Sequence, residues 1–218
     1  MNKPFAIFDM DGTLVDSMIY WQRLGREYLT SRGVTEGMDE VLERIKPMTM
    51  AESSALFIEA FGLPGTPESV MAEMNAVMDE HYRTDIPLKP GAADYLAALK
   101  ARGAKLCVAT ATPEPLARAC LKRLGVLEDL EFLLSCDAVG AGKDRPDVFL
   151  EAARRLGAAP AETAVFEDAM FALQTAKDAG FYAVGVWDAS GAKHWEELTA
   201  LADETVRDWK AAAEALGF

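Results

Sequence analysis

The sequence predicts an α/β protein in which a doubly wound parallel sheet carries an inserted bundle of helices. In the C-terminal part of the chain, short apolar runs alternate with amphipathic segments of about 10 to 15 residues, the pattern of βαβ units. A stretch with purely helical patterning separates the first apolar run from the others. We therefore predict an α/β core domain, residues 1–16 and 86–218, and a helical domain, residues 17–85.

The first predicted strand is FAIF, residues 5–8. The inserted region is predicted to form four helices, because apolar residues recur at spacings of three or four and Ser, Thr, Asp or Gly flank the segments. Four such helices are enough for a small bundle. Their sequences are SMIYWQRLGREYLTSRG, MDEVLERI, TMAESSALFIEAFG and TPESVMAEMNAVMDEHYR.

Strands and helices alternate after the inserted region, as in a Rossmann-like fold. Proline near the start and glycine at the end mark the limits of several helices. The predicted strands are KLCVAT (105–110), EFLLS (131–135), TAVFED (163–168) and YAVGVW (182–187). The predicted helices are PGAADYLAALKARG, PEPLARACLKRLG, RPDVFLEAARRLG, AMFALQTAKDAG and a segment near 193–201.

The composition excludes several classes of partner. Half of the 218 residues are apolar and the net charge is −13, which argues against nucleic acid and anionic membranes because both require clustered Lys and Arg. No apolar run approaches the ~20 residues of a transmembrane helix, and the N-terminus has no signal-peptide pattern. Three widely spaced cysteines are typical of reduced thiols. We expect a cytoplasmic monomer or small homo-oligomer.

Polar side chains that could take part in catalysis or ligand binding follow the predicted strands. Because the carboxyl ends of parallel strands meet at one edge of a sheet, we expect these side chains to lie close together. The residues that share this placement are Asp9, Asp11, Thr110, Thr112, Lys143, Glu167 and Asp168.

This set of residues fits the hydrolysis of a phosphate ester, which needs a nucleophile, an acid for the leaving oxygen and positive charge around the phosphoryl group. Mg²⁺ prefers carboxylate oxygens and removes the repulsion between a carboxylate and a phosphate. Asp9 and Asp168 are candidate ligands of such an ion. Lys143 offers a positive point charge to the phosphate. The Thr110 hydroxyl and the Ala111 N–H are candidates to hold a phosphoryl oxygen.

Asp9 and Asp11 are two positions apart in FDMDG. If the strand conformation continued, both side chains would point to the same side, with Met10 opposite. One carboxylate can then attack while the other gives a proton to the leaving group and later takes one from water. Gly12 permits the chain to turn sharply away from the strand.

DMDGTLVDS resembles the first motif of the haloacid dehalogenase superfamily. Thr110 in VATAT is similar to its second motif, Lys143 to its third, and Glu167 and Asp168 in VFEDA to its fourth. The likeness extends over essentially the whole chain and is greatest for phosphatase-like and phosphoglucomutase-like members with a helical cap after the first motif.

This resemblance implies a Mg²⁺-dependent phosphatase of a small phosphorylated metabolite, for example a sugar phosphate or a phosphoglycolate-like compound, that forms an aspartyl-phosphate. It makes Asp9 the nucleophile and Asp11 the acid and base. It also implies that the backbone carbonyl of Asp11 is a metal ligand and that Glu167 binds the metal through a water molecule.

Two alternatives remain open. A sugar-phosphate mutase is the first, although the glucose-phosphate mutase of the family carries a histidine where this chain has Trp21. The second is a non-catalytic binding protein on the same fold, which the complete set of motif residues disfavours. The carboxylic acid at Asp11 argues against an enzyme that cleaves carbon–halogen or carbon–phosphorus bonds, because such members of the family typically lack an acid at this position. Ala169 and Ala172 stand where many relatives have Ser and Gly. Because the acidic pair is retained, this departure bears on cap packing or substrate geometry more than on metal binding.

In the helical domain, Trp21, Arg44 and Lys46 are candidate contacts for the substrate, and a core aromatic with surface charges is an equally simple interpretation. His81 and His194 have no partner that the sequence identifies, so we expect them to serve in the core or at the surface rather than as ligands.

Overall fold

A computed structural model describes residues 3–45 and 48–217 of the chain. Within these residues, six parallel strands form one sheet in the order β3-β2-β1-β4-β5-β6. The strands are β1 (Phe5–Phe8), β2 (Lys105–Thr110), β3 (Phe132–Ser135), β4 (Thr163–Glu167), β5 (Tyr182–Val186) and β6 (Glu204–Val206). The predicted fold class, a doubly wound parallel sheet with an inserted set of helices, is confirmed.

Among the described residues, six α-helices belong to the same part of the chain as the sheet. They are α5 (Ala92–Ala101), α6 (Glu114–Arg123), α7 (Asp147–Leu156), α8 (Met170–Asp178), α9 (Trp195–Leu201) and α10 (Trp209–Glu214). Four helices precede them: α1 (Met18–Ser31), α2 (Met38–Ile45), α3 (Met50–Phe61) and α4 (Pro67–Thr84). Among the described residues, no helix is both long enough and apolar enough to cross a membrane.

One face of the sheet packs against α7 and α8. Ile7 of β1, Cys107 of β2 and Val165 of β4 point to this face and form a buried cluster with Phe149 of α7 and Ala176 of α8. Because successive side chains of a strand alternate between faces, the next residues point the other way.

The opposite face is aromatic and packs against α5 and α10. The rings of Phe8 and Phe166 stack with centroids 4.3 Å apart. Tyr95 of α5 and Trp209 of α10 lie with ring centroids 5.9 Å and 5.8 Å from that of Phe166. Helices therefore cover both faces of the sheet and leave its carboxyl edge as the place where loops converge.

The chain divides into two compact units, Met1–Met18 with Ile86–Phe218 and Ile19–Asp85. In the sheet-containing unit, the segments that flank the division pair with each other. Asp16 N–H donates to Pro87 O at 2.9 Å, and Lys89 N–H donates to Leu14 O at 2.8 Å.

Two helices of the other unit, α3 and α4, begin at side-chain caps. Thr49 forms a capping box with Glu52 at the start of α3, and Thr66 caps α4, which has Pro67 in its first turn. Phe57 and Met78 are fully buried between the helices. These local signals explain why the sequence pattern predicted the helices of this unit closely.

His81 near the end of α4 connects two helices of this unit through ion pairs. Its Nε2 lies 3.0 Å from Glu27 Oε2 of α1, and its Nδ1 lies 3.0 Å from Asp85 Oδ1. The Tyr20 ring packs 4.8 Å from the imidazole. Burial alone would lower the pKa of His81, but the hydrogen bonds and charges of Glu27 and Asp85 raise it.

We expect His81→Gln to destabilise the protein more at pH 6 than at pH 9. A raised pKa means that the folded state binds the proton more tightly than the unfolded state. The stabilisation is fully present below the ordinary histidine pKa and is lost as the pH rises through the folded value. The change in unfolding free energy should reach up to about 1 kcal/mol at pH 6.

Urea unfolding at the two pH values measures this difference. The matched control is His194→Gln, because His194 is half exposed beside Glu197 and surface pairs contribute little. An equal loss for His81→Gln at both pH values would contradict the prediction.

The strand β6 and the helix α10 were not predicted. β6 is a three-residue edge strand with the sequence ETV, which is too short to show alternation. The helix α10 has the alanine-rich sequence WKAAAE, in which Trp209 alone marks the buried side clearly. Both elements form through tertiary packing, since β6 pairs with β5 and Trp209 packs on the aromatic face of the sheet.

Candidate active site

Asp9 extends β1 by one residue at the centre of the carboxyl edge. Its N–H donates to Phe166 O at 2.9 Å, which continues the pairing of β1 with β4. Since β2 flanks β1 on the other side, the ends of three strands lie together here. The Asp9 side chain is buried, with 6% of its surface exposed.

Lys143 reaches this point from the loop after β3. Its ammonium group forms buried ion pairs with Asp9 Oδ1 and, at 2.6 Å, with Glu167 Oε1. Burial alone would lower the pKa of Lys143, but the two carboxylates raise it and keep the side chain protonated. The lysine is therefore a fixed positive charge between the ends of β1 and β4.

Asp9, Glu167 and Asp168 form an acidic cluster. Each offers an oxygen that lies within 4.8 Å of the others. Burial raises the pKa of Asp9 well above its ordinary value, and the charges of the neighbouring carboxylates add to this rise against the opposing effect of Lys143. Burial, with Glu167 and Asp188, raises the pKa of Asp168 to about 7. The three carboxylates thus carry more negative charge than the Lys143 ammonium balances.

The turn after β1 approaches the Asp168 carboxylate closely. Gly12 has φ +78°, and a Cβ at this position would overlap the Asp168 carboxylate. Thr13 Oγ1 donates to Asp168 Oδ1 at 3.3 Å. The N-cap residue of α8 is Ala169, which makes no side-chain hydrogen bond to the helix. Glycine at position 12 is required both by its backbone angle and by this contact.

Asp11 has different neighbours from Asp9. Its Oδ1 accepts a hydrogen bond of 2.7 Å from the Ser17 hydroxyl, and its Oδ2 accepts one of 2.7 Å from the Thr112 hydroxyl. The Asp11 carboxylate is not a member of the acidic cluster found among the described residues. Its charge nevertheless contributes to the raised pKa of Asp9.

The turn after β2 contains the predicted Thr110 and Ala111. Thr110 is fully buried, and its hydroxyl oxygen accepts a hydrogen bond of 3.0 Å from the Thr112 N–H. Ala111 is exposed at the start of the turn. The structure thus places Thr110 at the end of β2, which neighbours the strand that carries Asp9.

The acidic cluster fits a divalent metal ion with a preference for oxygen ligands. Its carboxylates come from the ends of two adjacent strands, and the raised pKa values of Asp9 and Asp168 indicate that a further positive charge would be accommodated favourably. The backbone of the turn at Gly12 lies beside Asp168 and brings peptide groups to the same place. Carboxylate and carbonyl oxygens are the donors that Mg²⁺ and Ca²⁺ prefer.

Sequence reasoning missed a second charged pair near the cluster. Lys89 Nζ lies 2.8 Å from Asp188 Oδ2 and donates to Trp187 O at 2.6 Å. Both charges act on the pKa of Asp168, with Asp188 raising it and Lys89 lowering it. The position of Asp188 at the carboxyl end of β5 was the available signal.

The structure describes two of the three candidate residues of the helical unit. Trp21 lies in α1, is half buried and donates from Nε1 to Tyr82 Oη at 3.2 Å. Arg44 is exposed in the last turn of α2. Lys46 lies outside the described residues.

A parallel sheet with a buried lysine and clustered carboxylates at its carboxyl edge is an arrangement typical of the active site of an α/β enzyme. The model of the haloacid dehalogenase-like hydrolase family matches residues 5–180 of the chain. The chain therefore belongs to this family, and the resemblance seen in its four motifs is confirmed.

Proteins of known identity agree with this assignment. The probable phosphatase IndB of Dickeya dadantii is 33% identical over 189 residues, which cover 84% of this chain and 81% of the relative. The beta-phosphoglucomutase of Bacillus subtilis is 30% identical over 197 residues, covering 83% and 82%. The crystal structure of a putative beta-phosphoglucomutase from Thermotoga maritima matches with a TM-score of 0.82 and 26% identity, covering 98% of each chain.

Proposed function

We propose that this protein is a Mg²⁺-dependent phosphatase that hydrolyses a small phosphate monoester, such as a sugar phosphate, through an aspartyl-phosphate on Asp9. The observation that carries the proposal is the buried Lys143, which holds Asp9 and Glu167 together beside Asp168. Relatives named as a phosphatase and as a beta-phosphoglucomutase support a phosphorylated carbohydrate as the substrate class.

In the proposed reaction, a carboxylate oxygen of Asp9 attacks the phosphorus and the ester P–O bond breaks. Asp11, in its protonated form, gives its proton to the leaving oxygen. Asp11 is then a carboxylate that takes a proton from water as the water attacks the phosphorus. The acyl-phosphate bond breaks, inorganic phosphate leaves and Asp9 is regenerated.

The other residues bind and orient the phosphoryl group. Lys143 contributes a positive charge that also opposes the rise in the pKa of Asp9 and so favours the ionised form needed for attack. The Thr110 hydroxyl and the Ala111 N–H are proposed to hold a phosphoryl oxygen. Asp9, Asp168, the Asp11 carbonyl and, through water, Glu167 would hold Mg²⁺, whose charge would offset that of the phosphate.

The unit Ile19–Asp85 is proposed to act as a cap that excludes water from the reaction. Trp21, Arg44 and Lys46 remain proposed contacts for the non-reacting part of the substrate. Specificity in this proposal depends on these residues, because the residues at the sheet edge would contact the phosphoryl group, which every substrate of this class shares.

A second candidate is a sugar-phosphate mutase, which the beta-phosphoglucomutase relatives favour. Trp21 argues against it, since the indole N–H bonds to Tyr82 and an indole does not exchange protons as an imidazole does. Unlike a phosphatase, a mutase retains the phosphate on the sugar.

The proposed function is tested with a hexose 1-phosphate and an aryl phosphate, each incubated with Mg²⁺ and with EDTA. We expect inorganic phosphate from both compounds with Mg²⁺ and almost none with EDTA, because Lys143 is the one cation paired with Asp9 and Glu167 among the described residues and does not balance three carboxylates and a phosphate. Conversion of the hexose 1-phosphate into its 6-phosphate without release of phosphate would identify a mutase. Equal rates with Mg²⁺ and EDTA would reject the metal dependence.

A further inference from the structure

The Asp11 carboxylate is held by a hydroxyl group on each of its two oxygens. Ser17 donates to Oδ1 and Thr112 donates to Oδ2, each at 2.7 Å. Ser17 is six residues from Asp11 in the chain, whereas Thr112 is 101 residues away. The contact with Thr112 therefore depends on the adjacency of β1 and β2 in the sheet.

Thr112 also contacts the proposed phosphate-binding residue. Its backbone N–H donates to Thr110 Oγ1 at 3.0 Å, and its side chain is buried, with 7% of the residue exposed. Thr112 thus bonds through its side chain to Asp11, the proposed acid and base, and through its backbone to the hydroxyl of Thr110. The orientation of Asp11 is coupled in this way to the turn that would hold the phosphoryl group.

We propose that Thr112 is a positioning residue that fixes the Asp11 carboxyl group for proton transfer to the leaving oxygen. The inference rests on the proposed function. A hydroxyl donates to Asp11 when the carboxylate is ionised and accepts when it is protonated, so Thr112 holds both states of the proton shuttle.

A positioning role differs from a structural one in its dependence on the leaving group. As the ester P–O bond breaks, the Asp11 proton moves to the leaving oxygen. A poor leaving group such as phenolate requires this proton, and a good one such as p-nitrophenolate hardly does. Loss of fold or of phosphate binding would instead reduce the rates for both compounds by the same factor.

The test compares Thr112→Val, which keeps the branched shape and the backbone N–H, with the unchanged protein on phenyl phosphate and p-nitrophenyl phosphate in Mg²⁺. We expect kcat/KM to fall by about 10- to 100-fold for phenyl phosphate and by about 3-fold for p-nitrophenyl phosphate. Thr112→Ser, which keeps the hydroxyl, should restore the ratio of the two rates, and Thr112→Ala should behave like the valine variant.

Two further variants complete the experiment. Asp11→Asn should show the same selective loss, and adding Thr112→Val to it should change the ratio no further. Thr205→Val is the matched control, because Thr205 is exposed on β6, and we expect both rates to be unchanged.

An equal loss of kcat/KM for the two esters in Thr112→Val would overturn this inference and leave the proposed function standing. If the valine variant does not fold, Thr112→Ala provides the same test. A wild-type protein that hydrolyses neither ester would overturn the proposed function together with the inference.

Discussion

Asp9→Asn is expected to reduce phosphate ester hydrolysis by at least about 10³-fold without unfolding the protein. An amide of the same shape cannot attack phosphorus, so the aspartyl-phosphate cannot form. Hydrolysis of p-nitrophenyl phosphate in Mg²⁺ measures the loss. Acid-quench trapping of the phosphorylated protein should detect the intermediate in the unchanged chain and not in the variant.

The same substitution should leave the free energy of unfolding in EDTA equal or higher. Burial raises the pKa of Asp9, so the ionised carboxylate costs folding free energy above the ordinary aspartate pKa of about 4. The contribution of Asp9 to stability therefore falls as the pH rises, and the advantage of Asn grows with pH.

Asp16→Asn is the matched control for this experiment. Asp16 comes from the same stretch, DMDGTLVDS, but its side chain is exposed. Its activity should remain close to that of the unchanged protein. Substantial hydrolysis by Asp9→Asn would rule out Asp9 as the nucleophile.

Lys143→Met is expected to lower both activity and stability. Removing the ammonium leaves the buried carboxylates of Asp9 and Glu167 without their cation, which should cost about 3 kcal/mol of unfolding free energy in EDTA. The value of kcat/KM should fall by about 10²- to 10³-fold, because a preorganised charge on the phosphoryl group is lost.

The stability loss of Lys143→Met should be larger at pH 8 than at pH 5, since protonation of Asp9 at low pH removes its repulsion with Glu167. Added Mg²⁺ should recover part of it by binding the folded state. Lys100→Met is the control, because Lys100 is half exposed beside Asp129 and should cost at most about 1 kcal/mol. A Lys143→Met protein as stable as this control would contradict the assigned role of Lys143.

The elements that sequence patterns predicted are those with strong local signals. β1 and β2 have the predicted limits, and β4 ends one residue earlier than predicted. The strands are short apolar runs because both faces of the sheet are covered by helices, and Gly or Pro marks the helix ends. β6 lacked such a signal, since its existence depends on pairing with β5.

The candidate site was predictable to the extent that its residues follow strands directly. Asp9 and Glu167 were found in this way, and β1 and β4 are neighbours in the sheet. The hydrogen bonds of Asp11 to Thr112 and the pair of Lys89 with Asp188 were not predictable. Each joins residues about a hundred positions apart, and no local pattern specifies which side chains a sheet edge brings within 3 Å.

The sequence by itself determined the α/β alternation, the place of the helical insertion and the motif residues, because periodicity, caps and strand ends are local properties. Tertiary structure alone decided the electrostatics of the site. Asp9 and Asp11 stand two positions apart, yet burial and the acidic cluster raise the pKa of Asp9, while the hydroxyls of Ser17 and Thr112 bind Asp11. Desolvation and Coulomb interactions depend on distances in space, and folding sets those distances.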